Sequence, residues 1–418
     1  MQRCNRILLV TFALVSVAWS KVATADTSTG WPQWRGPHRD ATTSSKSHPL
    51  KLDENNLTLL WSVPLGPSYS GPVILKDRVF VTETKDQKYE VVTALDRHSG
   101  NILWTQSWEG ALTVPPFAIT NGSWIRATPA VSNNTIYVAG MRDVLVAIDT
   151  NTGDLKWKRD FVADMETALP NFGYISSPLV DGNSIYTQAG ASVLRLDANS
   201  GETIWRSLED DGGMSASAFS SPVILQLAGR RQLVVQTRQT LAGVCLEDGD
   251  ILWEQPIPTF RGMNILTPSQ YGDAVFTASY QGGTFLFDIV GSDKNMTSNE
   301  AWTNQAQGYM SSPIIIGDHA YLHMRNGRLT CFDLKTGERT WTSTPFGKYW
   351  SMVNLGKHLL ALDERGELLL IVANPDAFQL VDRKEISESS TWAHLAVVDE
   401  NIYVRSLDAL LCFRWSDN

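Results

Sequence analysis

The stretch Ser311 to Trp341, SSPIIIGDHAYLHMRNGRLTCFDLKTGERTW, decides the fold. It reads as four short strands. Residues 313–316 form the first, and Gly317-Asp318 turns it. Residues 320–324 form the second, turned by Asn326-Gly327. Residues 329–334 form the third, and Lys335-Thr336-Gly337 makes the tight turn into a fourth that carries Trp341. Asn-Gly between two apolar runs signals a hairpin, because both central residues of a type I′ turn need positive φ. The runs are short and β-rich, with no helical period.

The unit recurs along the chain. A small or hydroxyl-bearing residue precedes Pro72, Pro129, Pro178, Pro222, Pro268 and Pro313. Third strands end in an apolar residue followed by Asp96, Asp149, Asp197, Asp288 or Asp333. A glycine stands four residues after the acid at Gly100, Gly153, Gly201 and Gly337, and a tryptophan eight after it at Trp104, Trp157, Trp205 and Trp341. The fourth block is looser (Leu246, Gly249, Trp253), and the fifth stretches its turn as GSDKNMTSNE before Trp302. Four strands repeated every ~40–50 residues describe a β-propeller blade. One such sheet cannot bury both faces alone, so blades must stack around an axis.

The chain ends complete each other. Residues 57–63, LTLLWSV, form a strand with a tryptophan but no blade of their own. Residues 395–413 supply three strands and lack a fourth. The first strand is therefore expected to close the last blade, removing an open sheet edge and placing Trp61 in the slot of Trp104. Blades then fall at about 70–106, 127–159, 177–207, 221–255, 267–304, 311–343, 350–384 and 392–414 with 57–63. The expected fold is all-β: a single eight-bladed propeller of four-stranded blades. The seventh blade is degenerate, with Asn374-Pro375-Asp376 as ordinary turn chemistry where the docking turn should be.

Residues 1–25 read as an export signal: Arg3 and Arg6, an apolar core at residues 7–19, and an A-x-A site ending at Ala25. Cleavage near Ala25 without lipidation, a periplasmic or secreted location and no remaining membrane span are expected. Residues 26–56 would be an extended segment packing on the propeller of residues 57–418. Within that segment WPQWRGPHRD, residues 31–40, is too aromatic for a linker; it is a surface-packed plug or, alternatively, an aromatic ligand platform. The net charge is −9, and no Lys/Arg-rich block tracks phosphates, so nucleic acid is not an expected partner. Cys245, Cys331 and Cys412 sit at equivalent positions of separate blades, too far apart to pair. His319 and His323, four apart in extended chain, stand ~13 Å from each other and cannot share a metal.

The pattern A-x-D-x-x-x-G-x-x-x-W, as in Ala94 to Trp104 and Ala147 to Trp157, resembles the tryptophan-docking motif of the quinoprotein, or PQQ-like, propeller repeats. The resemblance covers residues 57–414. It implies that Trp61, Trp104, Trp157, Trp205, Trp253, Trp302 and Trp341 dock between blades over turn glycines. It also implies two branches. One contains PQQ-dependent alcohol and glucose dehydrogenases, with the quinone on Ca²⁺ in the central funnel beneath a disulfide of adjacent cysteines. The other is BamB-like, scaffolds of outer-membrane β-barrel assembly that bind no quinone. The WPQWRGP segment is similar to that of secreted bacterial proteins of this family.

No adjacent cysteine pair exists here, and the acids that can be placed obey the repeat and so serve turns. The expectation is a non-catalytic binding scaffold without cofactor or metal, a monomer that meets a protein partner or extracellular ligand. A PQQ- and calcium-dependent oxidoreductase is the alternative. Departures from the repeat mark where binding would occur. Residues 108–126 and 161–174 are two of the longest interblade loops, and with residues 210–219 and 348–351 they would rim the funnel. They hold Trp108, Phe117, Tyr349 and Trp350 near Glu166 and Lys348. Trp124, Arg126, Phe172 and Tyr174 are the binding candidates, because aromatic and arginine side chains dominate binding hot spots.

Overall fold

In the second blade, Thr135–Gly140 and Val144–Asp149 are each buried at five of six positions, whereas the outer strand Leu155–Asp160 alternates between half-buried and exposed toward its end. Inner strands covered on both faces need apolar runs, and only a strand at the rim shows the two-residue alternation. That gradient repeats around a computed structural model that describes residues 30–43, 47–211, 217–292 and 294–417. The export signal expected at residues 1–25 lies outside the described residues.

The strands form eight four-stranded antiparallel sheets. Seven are consecutive in the chain, spanning residues 73–109, 130–160, 179–207, 223–256, 269–304, 314–345 and 350–385. The eighth joins Ala396–Val398, Asn401–Arg405 and Ala409–Trp415 to Leu57–Pro64, with Leu57 opposite Trp415 and Pro64 opposite Ala409. The fold is thus the expected eight-bladed propeller closed by its first strand.

With one exception, each docking tryptophan reaches into the turn of the next blade. Its indole N–H donates to a carbonyl in that blade's turn: Trp61 to Arg97 (3.1 Å), Trp104 to Thr150 (2.9 Å), Trp157 to Ala198 (3.1 Å), Trp205 to Leu246 (3.0 Å) and Trp302 to Leu334 (2.7 Å). The turn acid secures the same turn. Asp149 accepts from the N–H groups of Asn151 (2.8 Å) and Thr152 (3.2 Å). Desolvation pulls its carboxyl pKa up, but these bonds and Lys156 together hold it below the usual range. Trp61, Trp205 and Trp253 are buried; Trp104, Trp157, Trp302 and Trp341 are half-buried. Burying one indole removes ~150–250 Å² from water, about 4 kcal/mol or more per blade interface for those fully covered.

Two expectations of the repeat need correction. Trp253 packs with residues of the fifth blade, but its N–H donates to Gln232 of its own blade (2.6 Å). The reason lies in the fifth blade, where GSDKNMTSNE continues the hairpin Gly283–Ser292 and Asn295–Asn304 instead of making a docking turn. For the same reason Asp288 is an exposed mid-strand residue opposite Asn299, not a turn acid. In the degenerate seventh blade the Asn374 carbonyl takes the Trp341 N–H (2.8 Å), so the Asn-Pro-Asp turn keeps the docking role without a glycine. The three described cysteines are buried and unpaired.

Residues 31–43 lie across the propeller axis. Trp31 bridges to Ile74 in the first blade, and the Pro32 carbonyl accepts from Val131 in the second (2.7 Å). Gln33 Oε1 accepts from the Val180 N–H of the third (3.3 Å). Trp34 donates to Thr267 Oγ1 before the fifth (2.9 Å), and the Ala41 carbonyl accepts from Asn354 in the seventh (2.8 Å).

Candidate functional site

The residue before each blade's proline is small or hydroxyl-bearing for a reason the fold makes plain. The Gly71 N–H donates to Thr128 Oγ1 (3.0 Å), the Thr128 N–H to Ser177 Oγ (2.9 Å), the Ser177 N–H to Ser221 Oγ (2.9 Å) and the Thr267 N–H to Ser312 Oγ (3.0 Å). Each of these hydroxyls satisfies a backbone donor of the preceding blade. These bonds, three of them buried, form a collar that fixes the start of the inner strands around the axis.

The collar aims one side chain from each of seven blades into a central funnel. Counting three residues back from each proline gives Tyr69, Arg126, Ile175, Phe219, Ile265 and Met310, and Trp392 holds the equivalent place before Leu395 in the last blade. All of these line one cavity of about 190 Å³ on the face of the interblade loops. Phe172, Met263 and Tyr309 add to its wall, and Trp34 of the axial segment also lines it. Five rings touch in a run along one side of the funnel. Trp392 stacks on Tyr69 (4.7 Å between centroids, 13°) and meets Tyr349 (4.1 Å); Tyr349 meets Tyr309 (5.7 Å), which meets Tyr280 (5.0 Å).

Arg126 is the cation of the funnel. Its guanidinium lies 5.1 Å from the Tyr69 ring centroid and donates to the Gly122 carbonyl (2.6 Å), while its buried Nε has no hydrogen-bond partner among the described residues. Desolvation lowers the Arg126 pKa and raises those of Tyr69 and Tyr309, the last to about 12. Among the described residues no Asp or Glu lines the cavity. The site therefore offers an apolar, polarizable wall with one cation, suited to an apolar side chain that carries or neighbours a carboxylate.

The candidates chosen from sequence separate here. Arg126 and Phe172 line the funnel. Trp124 is half-buried beside it, edge-on to Tyr69 (5.2 Å). Tyr174 is a correction: it is 2% exposed, its hydroxyl bonded to Thr187 in the hydrophobic core, and burial raises its pKa. Gly173, with φ of +76°, turns the chain so that Phe172 and Tyr174 face opposite ways. Tyr349 and Trp350 are likewise buried, and Trp108 turns inward to donate to Glu90 (2.8 Å). Phe117 stands out on the rim, 76% exposed, edge-on to Phe172. Sequence reasoning missed Tyr69, Phe219 as a lining residue, Met310 and Trp392. Their common offset from the proline was a usable signal.

The quinone and calcium that the dehydrogenase branch implies need acidic and amide oxygens in this funnel. The described lining supplies Asn121 and no carboxylate, and among the described residues no group of three or more His, Cys, Asp or Glu could hold a metal ion. The residues present do not fit that group.

Comparison with known proteins gives a consistent family. A family model described as "Outer membrane protein assembly factor BamB" matches residues 88–343. The BamB of Moranella endobia is 24% identical over 368 residues, covering 82% of this chain and 86% of that one. The polyvinylalcohol dehydrogenase of Sphingopyxis sp. is 26% identical over 172 residues, covering 37% of this chain and 24% of its own. Among solved structures, BamB from Moraxella catarrhalis superposes with a TM-score of 0.64 at 16% identity, covering 87% of this chain and 98% of its own. A quinohemoprotein alcohol dehydrogenase from Pseudomonas putida HK5 gives 0.63 at 14% identity, with 94% and 81% covered. At those identities both structures speak to the fold alone.

Proposed function

Because this chain belongs to the family described as outer membrane protein assembly factor BamB, we propose that it is a non-catalytic binding scaffold of the periplasm or cell exterior, exported by cleavage near Ala25. Its relatives are named for assembly of outer-membrane proteins, and a role in that process, through a protein partner bound on the loop face, is the function proposed here. The observation that carries the reading is the lining of the funnel: an apolar or cationic side chain from each of seven blades, and no carboxylate among the described residues. A partner would seat an apolar side chain against Trp392 and Phe172 and set a carboxylate near Arg126.

The test is photo-crosslinking in the native host, with the crosslinker at Phe117 on the rim. A discrete protein adduct that disappears when Trp392→Ala is added supports the reading. No adduct at that position overturns the docking face. Calcium-dependent dye reduction with an alcohol, after loading the purified chain with PQQ, overturns the non-catalytic reading separately.

A further inference from the structure

Beneath the funnel floor, the axial segment carries two arginines into the interior. Arg35 and Arg39 are 1% and 2% exposed. Neither makes a salt bridge to a carboxylate among the described residues. Arg35 Nη2 donates to the carbonyls of Pro313 and Asp40, and Arg39 donates to the carbonyls of Pro178 (2.9 Å) and Ser177 (3.0 Å). Asp40 itself is exposed, and its carboxylate accepts from the Thr42 N–H (2.9 Å). Arg35 Nε and Nη1 and Arg39 Nε are buried donors with no hydrogen bond to the described residues.

Backbone carbonyls supply partial charge only. A buried cation short of counter-charge is costly, and here two lie close enough to repel each other, with only the exposed Asp40 carboxylate, acting on Arg35, set against them among the described residues. The remaining neighbour of note is His394, which packs edge-on to Trp34 (5.1 Å) and is held neutral by burial and by Arg35. It supplies no negative charge. The unused donors on both guanidiniums call for an acceptor that carries one.

We propose that a monovalent inorganic anion of chloride size binds on the propeller axis against Arg35 and Arg39, locking residues 31–43 across the propeller. Asp40 offsets one of the two positive charges, and the anion would balance the other and take the free N–H groups of Arg35. It would also hold Trp34 in place as funnel floor, so the shape of the loop-face site would depend on an ion on the axis. This inference does not need the proposed partner to exist.

The test uses the full mature chain. Crystals soaked in bromide should show an anomalous peak within hydrogen-bond distance of both guanidiniums. Replacing gluconate by chloride at fixed ionic strength should raise the melting temperature by about 3 °C, and Arg39→Met should abolish both the peak and the chloride dependence. Ordered water with no bromide signal overturns the proposal. So does a chloride effect that persists unchanged in Arg39→Met, since it would then arise elsewhere. The crystal experiment on the unaltered chain decides the matter even if the variant fails to fold. Crosslinking from Phe117 is independent of either outcome.

Discussion

The Trp104 indole of the first blade lies against Gly153 of the second, so closely that a Cβ at Gly153 would stand 2.8 Å from Trp104 Cδ2. Gly153 also has φ of +80°. Both the ring above and the left-handed backbone require glycine, which is why Gly and Trp keep their spacing from the turn acid in the best-matched blades.

Gly153→Ala should therefore cost more than the backbone alone. Gly182 provides the control, with φ of +58° and nothing within 4 Å of where an alanine methyl would sit. Gly182→Ala should lose about 1–2 kcal/mol from backbone strain, and Gly153→Ala at least ~1 kcal/mol more from displacing the indole. Urea melts of the two variants check the difference. Equal losses would mean the ring moves freely.

The collar predicts a second effect. Ser177→Ala removes the acceptor of the Thr128 N–H and leaves that donor buried and unsatisfied. The expected loss is about 1–3 kcal/mol. Ser177→Thr, which keeps a hydroxyl, should recover most of it in the same melts.

Glu90 gives a pH dependence. It is fully buried, accepts from the Met141 N–H (2.7 Å) and the Trp108 indole, and desolvation raises its pKa from 4.5 to about 7. Between those values the folded chain holds a proton that the unfolded chain releases, so this group's contribution to stability falls as pH rises from 4.5 through 7. The total is on the order of 3 kcal/mol. His323 and His394, whose pKa values burial lowers to about 4 and about 3, act in the opposite direction. The check is thus a difference: relative to the parent chain, Glu90→Gln should be more favourable at pH ~8 than at pH ~5.

The funnel predicts which side chains a partner feels. Trp392→Ala and Arg126→Gln should each weaken binding of the crosslinked partner at least ~10-fold. Tyr174→Phe removes a core hydroxyl and should leave that affinity unchanged. Titration of the purified partner measures all three.

Nearly all of the fold was legible, because Asp149, Gly153 and Trp157 act at short range and write a turn into consecutive residues. Closure was legible too, since Leu57–Pro64 had no blade of its own. The funnel was only half legible. Phe172 and Tyr174 look alike in sequence, and a single glycine conformation between them sends one to the cavity and the other to the core. Trp253 and Asp288 misled for a related reason: their roles depend on a hairpin in the adjacent blade. The positions facing the axis share an offset from proline, but their chemistry varies from Tyr69 to Arg126 to Met310, so a search for repeated residue types passes over them.

Closure by the first strand also orders events in time. Leu57–Pro64 leaves the ribosome before any blade exists, and its partner Ala409–Trp415 follows only after all seven consecutive blades. Until then the first strand has an unmatched edge and an indole with no finished sheet behind it. The ring can be sealed only once that last strand has been delivered, so a stalled or clipped chain is left as an open arc with two sticky ends. Such an arc is the form in which this protein would be most exposed to proteases and to pairing with its own copies.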